Sequence, residues 1–139
     1  MKETEILITS YIENLDPGGM PEGDRERTEV RVNGSFTWLG GDFSISYCER
    51  SDGGEVKSEI NATGGRITVR RSGAIVSEML FSEKESHRSV YMIPPYSFDT
   101  EIYTKKIRNG VRESGGRLDI LYKMSIGGQD KNVRMSLVF

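Results

Sequence analysis

Between residues 30 and 38, Val30, Val32, Phe36 and Trp38 fall on every second position, with Gly34 in step and Arg31, Asn33, Ser35 and Thr37 between them. Period two marks a strand with one buried face. The same alternation returns at Phe43, Ile45 and Tyr47, at Val56, Ile60 and Ala62, and at Ile67 and Val69. It continues through Phe98, Thr100, Ile102 and Thr104, through Leu118, Ile120, Tyr122, Met124 and Ile126, and through Val133, Met135, Leu137 and Phe139. Ile6, Ile8 and Ile12 share a face in a first strand, and His87 to Met92 forms a short strand stopped by Pro94-Pro95, since proline cannot donate to a ladder. The stretch Ala74 to Phe81 is more evenly apolar; with Ile75, Ser77, Met79 and Phe81 inward, Val76 and Leu80 face out. The pattern predicts about ten strands and no helix.

What separates the strands is equally patterned. Twelve of the sixteen glycines form six pairs: Gly18-Gly19, Gly40-Gly41, Gly53-Gly54, Gly64-Gly65, Gly115-Gly116 and Gly127-Gly128. The tight turns of antiparallel hairpins need positive φ, which glycine adopts without steric cost. Only Leu15 to Asp24 reads as a long irregular connection. Consecutive strands joined by short turns give a meander, and a long meander best avoids open edges by closing. The expected fold is therefore all-β, one domain over residues 1–139, an antiparallel up-and-down β-barrel of about 8–10 strands. A two-sheet sandwich is the rival, but its crossings need longer connections. The alternation places Phe36, Trp38, Ile45, Ile60, Val69, Ile120, Tyr122 and Met124 inside, with Arg31, Lys57, Thr68, Asp119 and Lys123 outside.

Charge and composition narrow the chemistry. With 19 basic and 21 acidic side chains the net charge is −2, which exerts no general pull on nucleic acid or acidic membrane. The short basic pieces Arg70-Arg71 and Lys105-Lys106-Ile107-Arg108 lack interleaved aromatics and read as solvated strand surface. Cys48 is the single cysteine, so no intrachain disulfide forms. With no apolar stretch of signal-peptide or membrane-span length, the expected location is the cytoplasm, and Asn61-Ala62-Thr63 is then a chance glycosylation match. His87 is the only histidine, and alternation puts Cys48 on the outer face, far from it. No metal site, catalytic residue or cofactor is expected from such a set. No carboxylate pair stands at catalytic separation inside the barrel. Gly127-Gly128-Gln129 reads as a hairpin turn, and no glycine run has the form of a phosphate loop.

One end of the barrel does gather polar groups. In a meander the odd strands run the same way, so Glu49, Arg71 and Tyr91 reach the same mouth. Two strands of separation is about 9–10 Å, which Arg71 and Glu49 can bridge. Tyr47, Tyr122 and Thr104 lie on inward faces of the same barrel. Barrels of this size either fill with side chains or hold one small ligand. An inward Arg with tyrosine hydroxyls suits a carboxylate or phosphate head group, apolar neighbours taking the tail. The bland reading has Arg71 paired to Glu49 or to turn carbonyls, because a charge inside a barrel needs a partner regardless of ligand.

Taken in order, Tyr47-Cys48-Glu49, the strand from Gly54 to Ile60, Ile67-Thr68-Val69-Arg70-Arg71-Ser72-Gly73, Tyr91 to Phe98, Thr104 and Gly116-Arg117-Leu118-Asp119-Ile120-Leu121-Tyr122 form a recognisable series. Across roughly residues 3 to 139 the chain resembles the YwiB-like family, small bacterial proteins of unknown function. Pro94-Pro95-Tyr96-Ser97 departs from the family pattern, which often has a glycine before the aromatic strand. The resemblance implies a calycin-like (lipocalin-like) β-barrel and transfers no mechanism. The leading expectation is a barrel that binds a small amphiphilic or anionic molecule at Arg71, Glu49, Tyr91, Tyr47, Tyr122 and Thr104. The alternative is a filled, monomeric or homodimeric interaction module using Val76 and Leu80. An enzyme is the third reading, with no assignable nucleophile or base.

Overall fold

The computed structural model describes residues 1–139. Ten strands follow one another: β1 (Lys2–Asn14), β2 (Glu26–Leu39), β3 (Asp42–Ser51), β4 (Gly54–Thr63), β5 (Arg66–Gly73), β6 (Val76–Phe81), β7 (Ser86–Ile93), β8 (Tyr96–Asn109), β9 (Arg117–Ile126) and β10 (Gln129–Val138). Each is antiparallel to the next, and β1 pairs with both β2 and β10, closing the barrel. The closing seam is long, running from Leu7 opposite Val138 to Asn14 opposite Lys131. Closure removes the free edges that an open ten-stranded sheet would expose. There are no helices, and none therefore long and apolar enough to cross a membrane.

Four of the glycine pairs sit at hairpin turns as the sequence suggests: Gly40-Gly41, Gly53-Gly54, Gly64-Gly65 and Gly127-Gly128. Gly127 and Gly128, at φ of 55° and 81°, make the two-residue turn between β9 and β10. The other two pairs lie in longer connections. Gly34 has a different task. It stands on the inner face of β2, where a Cβ would run into the Ser46 carbonyl and the Ile6 side chain. There the missing side chain lets two strands and the core approach closely.

The alternation sorts the faces as expected. Phe36, Ile45, Ile60, Val69, Ile120 and Tyr122 are buried, Trp38 and Met124 are partly buried against the same cluster, and Arg31 and Lys57 are exposed. Thr68 and Lys123 are half-buried. Asp119 corrects the expectation. It points outward on β9, yet it is only 7% exposed. Arg117 covers it with Nε 2.9 Å from Oδ2, and Ser136 on β10 donates a short hydrogen bond to Oδ1. Burial pushes the Asp119 carboxyl up, but the bonds from Arg117 and Ser136 outweigh it and hold the pKa below the ordinary value.

The two ends of the barrel differ. At one, the rings of Phe36, Phe43 and Phe139 lie 5.0 to 6.2 Å apart in tilted or edge contact, with Trp38 alongside. Each such pair adds about 0.5–1.5 kcal/mol beyond its buried area, so this end is plugged. At the other, Phe98 belongs to the inner face of β8 but remains 37% exposed, and Tyr91 beside it is half-buried. This is the open mouth.

Candidate functional site at the open mouth

The cross-strand register lays out the mouth residue by residue. Tyr47 on β3 pairs with Ser58 on β4, Ser58 with Arg71 on β5, Arg71 with Ser77 on β6, Ser77 with Tyr91 on β7, and Tyr91 with Phe98 on β8. Because directly opposed residues share a face, the six form one continuous belt around the inner wall. Aromatics flank the charge, with a small hydroxyl on either side of it.

Arg71 occupies the centre of this belt and is half-buried. None of the protein's ion pairs involves it; its guanidinium stands close enough to the Tyr47 hydroxyl to lower that phenol's pKa, but no carboxylate meets its charge. Sequence reasoning expects a pair with Glu49. The register explains why none forms: Glu49 is opposite Val56, and Val56 is opposite Gly73. Glu49 thus lies one inward position nearer the rim than Arg71. Its charge is felt at Tyr47 but does not neutralise the guanidinium.

Tyr47 and Tyr122 are both buried within reach of the Arg71 charge. Burial raises both phenols above their ordinary pKa, that of Tyr122 to about 12; the Arg71 charge opposes the rise in each, and Tyr91 reinforces it at Tyr122. At neutral pH both are uncharged hydroxyls, fit to give or accept a hydrogen bond but not to act as a base. Ser58 is 0% exposed and Ser77 4%, and neither hydroxyl oxygen has a hydrogen-bond partner. Ser58 is near enough to Tyr47 to bear on its ionisation, but the two are not aligned for a bond. Buried hydroxyls are normally satisfied. Two orphans on either side of an unpaired arginine are therefore the most informative feature of the barrel, and the sequence reading did not include them. Their signal was present, as small polar residues on inward parity opposite Arg71.

Thr104 is a different case. It is buried next to Tyr122 in register, but its Oγ1 accepts the Ser82 backbone N–H at 3.3 Å. It holds the β6–β7 connection and does not join the belt. Further along the inner wall, Ser89 and Thr100 bond each other at 2.7 Å and are likewise self-satisfied.

The wall is open beside the belt. β6 and β7 share only the pairs Val76–Met92 and Ser77–Tyr91, after which the strands diverge. A groove of about 500 Å³ enters there, bounded by Arg71, Ser77 and Ser89 from the inner face and by Val76, Val90 and Met92 from the outer. Arg71 therefore borders a groove at the side of the barrel, where the sequence pattern leads to the expectation of a lumen.

The residues set aside by sequence reasoning stay apart. Cys48 is exposed on the outer face, and desolvation together with Glu55 raises its thiol pKa, which disfavours the reactive thiolate. His87 begins β7, away from the rim residues, with Nε2 3.5 Å from Glu85 Oε2. No group of three or more His, Cys, Asp or Glu side chains is placed to hold a metal ion.

The structure thus defines a closed ten-stranded antiparallel barrel with one plugged end and one polar mouth. The chain belongs to the family described as domain of unknown function DUF1934, whose model matches residues 19–137. It is 28% identical over 129 residues to the uncharacterized β-barrel protein YwiB of Bacillus subtilis (strain 168), spanning 93% of this chain and 89% of that one. The crystal structure of the ywiB protein from Bacillus subtilis superimposes with a TM-score of 0.77 at 26% identity, covering 98% of this chain and 92% of that one. The resemblance read from the sequence and the all-β barrel it implies are both upheld; the family carries no assigned activity.

Proposed function

We propose that this protein is a cytoplasmic, calycin-like binding barrel whose mouth holds a small molecule with an anionic head and an apolar body. The observation that carries the reading is the unpaired Arg71 between the orphaned hydroxyls of Ser58 and Ser77. A half-buried guanidinium without a carboxylate partner costs free energy, and so does each unsatisfied buried hydroxyl, about 1–3 kcal/mol. A carboxylate or phosphate at this point would satisfy all three. Tyr47, Tyr91 and Tyr122 would supply further hydroxyls, and Phe98 with the opening between β6 and β7 would receive the apolar part. Glu49 at the rim would disfavour multiply charged ligands. A single free thiol and no disulfide suit a reducing compartment.

The test is calorimetric titration of the protein with decanoate, an anionic amphiphile. Saturable one-to-one binding that Arg71→Gln weakens at least tenfold, with folding intact, supports the reading. Absence of binding, or binding indifferent to Arg71, sinks it. A second reading has one observation in its favour: Val76, Val90 and Met92 are 38% to 43% exposed around the same opening. Leu80, half-buried, adds less to that face. Such a face could join two copies of the chain, and sedimentation equilibrium of the wild type against Val76→Lys distinguishes a homodimer from a monomer.

A further inference from the structure

The opposite, outer side of the barrel carries a second cluster that the mouth does not use. Where β1, β10 and β9 lie side by side, the outward residues Tyr11, Arg134 and Leu121 are aligned across the sheet, Tyr11 opposite Arg134 and Arg134 opposite Leu121. Arg25, just before β2, lays its guanidinium 4.8 Å from the centre of the Tyr11 ring. Lys105 on β8 closes the far side. Together these residues border a groove of about 280 Å³.

The charges of this groove are incompletely matched. Arg25 and Lys105 take part in no ion pair; Lys105 donates only to the neutral Asn132 Oδ1, at 2.8 Å. Arg134 comes no nearer a carboxylate than 3.9 Å, to Asp119 Oδ1, and that carboxylate already serves Arg117 and Ser136. The Nε of Arg134 is shut off from solvent with no acceptor at all. The one carboxylate lining the groove, Glu13, accepts a 3.4 Å bond from Asn132. The hydroxyl of Tyr11 is held below its ordinary pKa by the hydrogen bond from Arg27, with Arg134 and Arg25 adding to it, which reports the same positive field. All this stands on a protein whose net charge is −2.

We infer that the groove between Tyr11, Arg25, Lys105 and Arg134 is an anion site for the phosphate group of a small molecule, separate from the barrel mouth. Two guanidiniums and an ammonium converging on one concavity match a phosphate's several acceptor oxygens. The hidden Arg134 Nε gains the acceptor it lacks, and the Leu121 side chain and Tyr11 ring offer an apolar wall to whatever carries the phosphate. A groove of about 280 Å³ has room for a head group and a small body, and a polynucleotide would need a longer basic track than these residues provide.

The experiment is a ¹H–¹⁵N titration of the full chain with inorganic pyrophosphate in chloride buffer. The expected result is saturable shifts of the amides of Tyr11, Leu121, Asn132 and Arg134 at concentrations that leave those of Ser58, Arg71 and Ser77 unmoved, because Glu49 at the mouth disfavours a multiply charged ion. Arg25→Gln with Arg134→Gln should weaken the apparent affinity at least tenfold, and the exposed single variant Arg25→Gln should weaken it about threefold with an unchanged melting temperature. Shifts that fail to saturate, that spread over other basic surfaces, or that survive Arg25→Gln would overturn the inference. Tighter binding of a ten-nucleotide oligouridylate than of pyrophosphate, with a steep salt dependence, would overturn the small-molecule assignment in favour of RNA.

Discussion

Arg71 and Ser77 face each other across β5 and β6 on the inner wall, a cation without an ion-pair partner and a buried hydroxyl in register that make no bond to one another. In a barrel built to be solid this pair would be a defect. The neighbouring core shows that the fold can do better, since Val69 opposite Met79 and Ile67 opposite Phe81 on the same strands are fully packed. The two buried hydroxyls left without a partner, Ser58 and Ser77, both stand at the mouth, where a ligand has access.

From this follows the first expected outcome. Arg71→Gln should change the unfolding free energy by less than about 1 kcal/mol, because no buried partner is orphaned when the charge goes. Chemical denaturation measures it. A loss of roughly 3 kcal/mol or more would show a structural ion pair instead, of the strength expected when a buried partner is stranded.

The strands and their faces were legible because period two and glycine turns are local signals, and Gly40-Gly41 and Gly127-Gly128 sit where such turns belong. Three things were not local. The offset of Glu49 from Arg71 depends on cross-strand register, which Val56 and Gly73 reveal only once β3, β4 and β5 are paired. The loss of pairing between β6 and β7 lies in a segment whose apolar run hides its periodicity. Asp119 obeys the outward parity, but its burial comes from Arg117 and Ser136 folding over it, the latter on the neighbouring strand. Parity specifies direction and says nothing of what lies above.

Asp119 gives a second test. Ser136→Ala removes a buried donor to a carboxylate and should cost about 1.5–3 kcal/mol, the range for hydrogen bonds to charged groups. The pH dependence follows from the lowered folded pKa. The unfolded chain takes up its proton first as pH falls, near the ordinary aspartate value of about 3.9, so the stabilisation is complete above that pH and disappears as pH drops through the lower folded value. The melting-temperature difference between wild type and Asp119→Asn should therefore shrink below about pH 4. A difference constant down to pH 2 would refute the linkage.

Tyr122 acts at the alkaline end with the opposite sign. Its folded pKa is about 12, above the unfolded phenol near 10, so its neutral form stabilises the fold fully below about pH 10 and is lost as pH rises toward the folded value. Tyr122→Phe should therefore retain more of its stability between pH 10 and 12 than the wild type does. Ultraviolet titration of the tyrosines supplies an independent check, since Tyr11, with its lowered pKa, should ionise before Tyr122. Early ionisation of Tyr122 without unfolding would contradict its burial.

The opening between β6 and β7 predicts where the barrel breathes. Elsewhere neighbouring strands share five or more register pairs, but this join has two, Val76–Met92 and Ser77–Tyr91. Opening free energy tracks local pairing and burial, so the amides of β7 that are not directed at β8 should exchange with deuterium fastest among strand residues. Those of β9 and β10, paired without interruption from Arg117–Val138 to Ile126–Gln129, should be among the slowest. A disulfide offers the complementary test, because tying the diverging strands together closes the groove beside Ser77 and Ser89. Glu78→Cys with Val90→Cys, two outward positions bordering the same groove, places one thiol on each side of it. If that groove admits the ligand, oxidation should slow decanoate binding and reduction should restore it. An unchanged association rate in the oxidised protein would mean that ligands enter through the rim past Phe98 and Tyr91.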